Sequence, residues 1–217
     1  MSIILSKKRM EKLDLIKTYK SYYKAKTKPE IVHFDAVNYL SITGVGDPSG
    51  EEFAQKIAAL YPVAYTIKFD CKADGNDFVL PKLEGLWSFD LEKYEGITME
   101  NAPKKIPRSK WFYRLLIRMP DFVKKEMLAK AKETVKGKKG DIPFLQELSW
   151  HTMNEGKCVQ MLHVGPFDTE PESLIKIQNF CKQHGFQKNG EHHEIYLSDF
   201  RKTAPEKLKT ILREPVR

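Results

Sequence analysis

The chain has 217 residues, 41% of them hydrophobic and 30% charged, an ordinary globular balance that suits one sizeable domain with a real core. No stretch approaches the roughly 20 apolar residues that span a bilayer, and no apolar run with a small-residue cleavage site opens the chain, so a soluble, cytoplasmic protein is expected. The formal charge of +8 is unevenly spread: residues 1–28 hold nine Lys or Arg against Glu11 and Asp14, a net +7, leaving +1 for the other 189 residues. A nearly neutral domain behind a basic leader argues against nucleic acid as the main partner. Cys71, Cys158 and Cys181 are an odd, widely spaced set, which excludes a disulfide framework and a zinc cluster.

In chain order, Leu13, Ile16, Tyr19 and Tyr23 recur at spacings of three and four, predicting a short helix over 10–23 before a Lys/Pro-marked linker at 24–29. Residues 31–43 read as a strand, and Gly44-Val-Gly-Asp-Pro-Ser-Gly as a turn that starts a helix, with Ser49 and Glu52 spaced as a capping box. Phe53, Ile57, Leu60, Tyr61, Ala64 and Ile67 keep the helical period, and Pro62 is expected to interrupt or kink it. Strands follow at 83–89 and 110–119, joined by a long loop with Pro103 and Pro107. A helix over 121–135, stopped by Gly137-Lys-Lys-Gly, and a short strand at 148–152 come next. The first order then recurs: strand 157–164, helix 169–184 with Thr169 and Glu172 as its capping box, strand 191–198, strand 208–216.

Two strand-helix-strand-strand units are each too small to bury their own apolar faces. The predicted fold is therefore α+β: duplicated modules forming one curved antiparallel sheet, both long helices on one face and a ligand groove on the other, with an N-terminal helix and an inter-repeat helix added. The expected division is a basic leader at 1–28 and one domain at 29–217, with repeat one at about 30–119, a connector at 120–155 and repeat two at about 156–217. The groove belongs where the halves meet, since concave junctions of this kind attract ligands.

The strand at 191–198 alternates polar and apolar residues, placing His192, Glu194, Tyr196 and Ser198 on one face and His193, Ile195 and Leu197 on the other. An imidazole, a carboxylate and a phenol on one face suggest a bound group. Adjacent His192 and His193 point to opposite faces and cannot share one metal ion, and no H-E-x-x-H is present. Gly44-Val-Gly lacks the rest of a dinucleotide loop, and no serine sits in a nucleophile elbow. No cofactor and no metal are expected.

Several segments together resemble the GyrI-like small-molecule-binding family. They are Lys12-Leu-Asp-Leu, Gly46-Asp-Pro, Tyr61-Pro-Val-Ala-Tyr-Thr-Ile-Lys-Phe, Leu83-Glu-Gly-Leu-Trp and Lys110-Trp-Phe-Tyr-Arg-Leu-Leu-Ile-Arg-Met-Pro-Asp-Phe. Cys158-Val-Gln-Met-Leu-His-Val-Gly-Pro-Phe-Asp, His192-His-Glu-Ile-Tyr-Leu-Ser-Asp and Pro205-Glu-Lys-Leu-Lys-Thr-Ile-Leu-Arg-Glu-Pro-Val complete the set, which spans about residues 11–217 in family order. Within the family the stand-alone form is most similar to cyclopropanoid cyclopropyl hydrolases, which inactivate DNA-alkylating compounds in an aromatic cage. Ser88, Tyr113 and Phe200 stand where related chains often carry Trp, Trp and Pro.

The resemblance implies a xenobiotic-binding groove walled by Trp87 and Trp111, with Phe112 and Tyr113 as neighbours whose facing the sequence leaves open and His192 beside them. It implies a hydrolase in which Glu194 orients or deprotonates water and Tyr196 donates to the oxygen gaining charge. The alternatives are a non-catalytic drug-sequestering protein and a gyrase-inhibitor-like partner protein. DNA-linked regulation is not expected, because the residues ahead of the first long strand hold one helix at most.

Overall fold

The structure, a computed structural model, describes residues 12–98 and 101–217; Lys7, Lys8 and Arg9 of the basic leader and the predicted helix start at Met10 lie outside them. The strands are β1 (Leu13–Asp14), β2 (Glu30–Phe34), β3 (Val37–Val45), β4 (Phe78–Val79), β5 (Leu83–Ser88), β6 (Phe112–Arg118), β7 (Ser149–Met153), β8 (Gly156–Val164), β9 (His192–Tyr196) and β10 (Lys209–Pro215). The helices are α1 (Leu15–Thr18), α2 (Lys20–Tyr23), α3 (Glu51–Ala73), α4 (Ala102–Lys105), α5 (Met127–Lys139) and α6 (Glu170–Gln183). β1 and β4 pair in parallel, and the other eight strands form one antiparallel sheet in the order β2-β8-β10-β9-β5-β6-β3-β7.

The two repeats appear in this order as β3-β6-β5 and β8-β10-β9, meeting at the β5–β9 pair, where Gly85 lies opposite Glu194 and Trp87 opposite His192. α3 packs over β3, whereas α6 packs over β8 and β10. The two long helices therefore cover opposite halves and leave the seam between them. The predicted strand at 31–43 is broken at Asp35-Ala36, so that β2 pairs with β8 and β3 with β7. Phe34 opposite Gly156 and Val37 opposite Met153 belong to one antiparallel register interrupted at that break. This shared ladder curls the sheet toward a half-barrel.

α3 runs through Pro62 for 23 residues. A proline inside a helix costs about 3 kcal/mol or more, but each fully buried aliphatic side chain contributes about 1.5–3 kcal/mol. Leu60, Val63 and Ile67, all fully buried around Pro62, outweigh it. Neither predicted capping box forms. Ser49 is spent in the preceding turn, its hydroxyl donating to Asp47 at 2.6 Å, and Gly50 is the N-cap. The Thr169 hydroxyl donates to the Pro166 carbonyl at 2.8 Å instead of to α6. The predicted N-terminal helix is split into α1 and α2, because the Asp14 carboxylate accepts from the N–H groups of Ile16 and Lys17 and starts a helix there.

The face away from α3 and α6 is filled rather than open. Tyr22 and Tyr23 of α2 pack there with Phe34, Cys158, Ile195 and Ile211. The Tyr22 hydroxyl donates to Glu84 at 2.6 Å and accepts from Tyr39 at 2.6 Å. His193 bridges Glu84 at 3.0 Å and Glu155 at 2.9 Å, and Arg213 donates to the other Glu155 oxygen at 2.9 Å. Glu84, His193 and Arg213 are fully buried, which is tolerable because each charge has a partner.

Candidate functional site

Period-2 alternation puts Glu194, Tyr196 and His192 of β9 on the same face as Trp87 of β5 and Tyr113 of β6. This is the face that carries the long helices, so the predicted groove residues lie at the seam between α3 and α6, not on the far side of the sheet. Gly85 makes the arrangement possible. A Cβ there would lie 2.8 Å from the Tyr196 hydroxyl oxygen and 3.0 Å from Trp87 Nε1. Over the bare backbone the Trp87 indole N–H donates to Tyr196 at 3.0 Å, and the Tyr196 hydroxyl donates to Glu194 Oε2 at 2.7 Å.

Beyond Glu194 the polar chain continues along β9 and β10. His192 Nε2 stands 3.3 Å from Glu194 Oε1, an ion-pair distance without hydrogen-bond geometry. Its Nδ1 bonds Glu214 Oε1 at 2.7 Å, and Lys188 reaches the other Glu214 oxygen at 3.5 Å. Burial by itself would lower the His192 pKa, but the Glu214 and Glu194 carboxylates outweigh it and push it up to about 9. His192 is therefore an imidazolium at neutral pH, held as structural charge between two carboxylates. His192, expected beside the ligand, is fully buried and contacts Glu194 and Glu214.

The aromatic side chains form a box. Trp87 lies 6.2 Å from Trp111 and 5.8 Å from Tyr113, centroid to centroid, and Phe89 lies 5.9 Å from Trp111. Tyr113 lies across Gly44, where a Cβ would be 2.2 Å from its ring, and burial pushes its pKa up to about 12, keeping the phenol neutral. Phe53 of α3 closes the box, stacked on Trp87 at 6.0 Å and edge-on to Tyr113 at 4.9 Å. Phe167 and Phe200 meet Tyr196 from the outer side at 6.0 and 6.3 Å. Phe112 does not belong: alternation turns it to the opposite face, where it is 42% exposed.

The expected role of Tyr196 is also altered, since its proton is already directed at Glu194. A second carboxyl that the sequence reading did not single out faces the same place. Glu170, the first residue of α6, is 7% exposed, with Oε1 lacking any partner. A helix N-terminus favours a carboxylate by about 0.3–1 kcal/mol, whereas burying one costs several kcal/mol. Burial wins, the Glu194 charge adds to it against the Thr210 hydrogen bond, and the Glu170 pKa rises well above the ordinary range. Burial and the field of Glu194 thus both favour the protonated form of Glu170. Such divergent carboxyl environments are the pattern of acid–base sites.

Two cavities lie elsewhere. One of about 430 Å³ is bordered by His163, Ser173 and Lys176, and one of about 260 Å³ by His151, Glu155 and Glu191. Neither reaches Trp87 or Glu194, whose surroundings are packed with aromatic rings. Among the described residues, no group of three or more His, Cys, Asp or Glu side chains could hold a metal ion, and no helix is long and apolar enough to cross a membrane.

A curled sheet of duplicated units with its polar and aromatic groups at the central seam can be compared with known proteins. Residues 121–217 match the GyrI-like small molecule binding domain. Over 95% of its length the chain is also 40% identical to an uncharacterized conserved protein from Listeria innocua, covering 100% of it with a TM-score of 0.84. The chain thus carries a GyrI-like small molecule binding domain in its C-terminal part. A hydrolase from Listeria innocua is 39% identical over 95% of this chain and 100% of its own, with a TM-score of 0.81. The EcmrR C-terminal domain, at 14% identity with 88% of this chain and 97% of its own covered, has a TM-score of 0.53 and shares the fold. No curated protein sequence matches.

The residues that sequence reading missed are Glu170, Glu214, Phe53 and Gly85. In the sequence Glu170 is only the residue after a presumed cap, and Glu214 only part of a terminal strand. A glycine between Glu84 and Leu86 in a strand was the one local signal of a close approach.

Proposed function

We propose that residues 29–217 form one small-molecule-binding domain whose seam, between α3 and α6, takes flat aromatic compounds. We further propose that the bound molecule is hydrolysed when it carries a strained cyclopropane fused to a dienone. The observation that carries this reading is the Glu194 carboxylate, fixed by Tyr196 at 2.7 Å beside the Trp87–Trp111–Tyr113 box. Rigid rings bind flat ligands with little entropy to lose, each contact adding about 1 kcal/mol beyond burial. Phe53 closes the box against Trp87 and Tyr113, so a ligand enters by displacing it.

The substrate class asks little of the protein. Ring strain and regained aromaticity drive the opening, leaving the site to orient the ligand, exclude bulk water and direct one water molecule. Glu194 takes that water's proton, and Tyr196 and the His192 imidazolium hold Glu194 in place. The likeness to a 39% identical hydrolase from Listeria innocua supports this chemistry.

The test is turnover. A cyclopropane-fused dienone in tenfold excess over protein is expected to yield hydrated, ring-opened product beyond one equivalent. Product that stops at one equivalent points instead to a sequestering protein. Glu194→Gln is expected to lower the rate by about 10² or more with little change in affinity; an unchanged rate removes Glu194 from the reaction.

A further inference from the structure

We infer that Glu170 is the proton donor of this site, giving its proton to the ligand oxygen that gains charge as the ring opens. The inference rests on the hydrolytic reading above and completes it with a second catalytic residue. Two geometric facts carry it. Tyr196, the obvious donor, has its proton committed to Glu194 and its oxygen occupied by Trp87. Glu170 Oε1 is buried on the same face with no partner.

The groups facing Glu170 are Glu194 and Tyr196 from β9 and Thr210 from β10, where Thr210 lies opposite Tyr196. His192 and Glu214 lie two residues farther from it than Glu194 and Leu212, which oppose each other. Among the described residues Glu170 makes no ion pair, and the His192 imidazolium is committed to Glu214 and Glu194. Burial, with the neighbouring half-buried Glu194 adding to it, pushes the Glu170 pKa up.

The step balances. The water oxygen bonds to the cyclopropane methylene carbon and passes one proton to Glu194. The bond from that carbon to the ring carbon breaks, its electron pair moves into the dienone, and the carbonyl oxygen becomes a phenol by taking the Glu170 proton. Return of the proton from Glu194 to Glu170 restores the pair, so one water is consumed per ring opened.

The test uses the full chain and two readouts. In turnover of a cyclopropane-fused dienone, Glu170→Gln, isosteric and unable to transfer a proton, is expected to lose about 100-fold in kcat while KM stays within threefold. A kcat within threefold of the wild type overturns the proposal.

The second readout does not depend on turnover. Infrared difference spectra at pH 7 are expected to show a protonated carboxyl band that disappears in Glu170→Gln and shifts when acridone, a planar ketone without a strained ring, is bound. Absence of that band in the wild type, or its indifference to acridone, overturns the assignment even if hydrolysis is confirmed. A wild type that shows the band and its shift but no turnover leaves Glu170 as a hydrogen-bond donor to the bound ketone and overturns its role as proton donor in ring opening.

Discussion

Replacing Gly85 by alanine tests whether the seam is built around a close approach. The added methyl would lie 2.8 Å from the Tyr196 oxygen and 3.0 Å from Trp87 Nε1, and both atoms belong to buried rings packed on Phe53, Trp111 and Phe167. Neither ring can withdraw without breaking the Trp87–Tyr196 and Tyr196–Glu194 hydrogen bonds. Overpacking of this kind costs about 1–3 kcal/mol, and each lost hydrogen bond about 1 kcal/mol. Part of the strain is relieved when the bonds break, so the net loss is about 2–3 kcal/mol, or about 4–12 °C in Tm for a chain of this size. Differential scanning calorimetry measures this, with Gly137→Ala as the control. Gly137 lies in α5 with nothing within 4 Å of its Cβ position, so alanine there is expected to add about 0.5–1 kcal/mol. If Gly85→Ala unfolds within 1 °C of the wild type and binds aromatic ligands equally well, Tyr196 and Trp87 are not held over that backbone and the reasoning fails.

Three further outcomes follow from the same contacts. The folded His192 pKa of about 9 lies above the ordinary 6.5 of a free histidine, so its contribution is fully present below pH 6.5 and is lost as pH rises through 9. At 1.36 kcal/mol per unit this is about 3 kcal/mol; urea unfolding between pH 6 and 10 is expected to show the decline, and the double variant His192→Gln/Glu214→Gln to lack it. Arg213→Met leaves Glu155 facing only His193 and is expected to destabilise by about 3–5 kcal/mol. Because Arg213 also donates to the Tyr22 carbonyl at 2.9 Å, limited proteolysis is expected to cut this variant first near α2; unchanged protection there would contradict the role of Arg213 in holding α2 on the sheet. Phe53→Ala removes the ring that fills the box. It is expected to lower stability by about 3–5 kcal/mol and to increase the on-rate of flat ligands in stopped-flow fluorescence; a slower on-rate would show that Phe53 guides rather than blocks.

The fold was legible because its signals are periodic. Repeated strand-helix-strand-strand order predicts one antiparallel sheet with the repeats meeting at its centre, and alternation in 191–198 assigns the facing of His192, Glu194 and Tyr196. What the sequence hid were relations between distant residues. Whether Asp35-Ala36 continues a strand or breaks it depends on pairing with residues 149–160, more than 100 positions away. The far face read as open because Tyr22 and Tyr23 look like ordinary members of a leader helix, and only the structure brings their hydroxyls to Glu84. Ser49 and Thr169 fit the capping pattern, but a local turn competes for each hydroxyl and wins. Glu170 carried no signal at all, since an acidic residue in the first turn of a helix is the commonest kind of surface residue there. Its meaning comes from burial beside Glu194, a property of packing.

The central claim is that flat ligands enter the seam between α3 and α6. The most direct measurement is a crystal structure of the Glu194→Gln variant soaked with a cyclopropane-fused dienone. The account predicts the ligand ring between Trp87 and Trp111, with Phe53 swung out of the box and the ligand oxygen within hydrogen-bond distance of Glu170. Density for the ligand in the cavity beside His163 or the one beside His151, with Phe53 still stacked on Trp87, would contradict it.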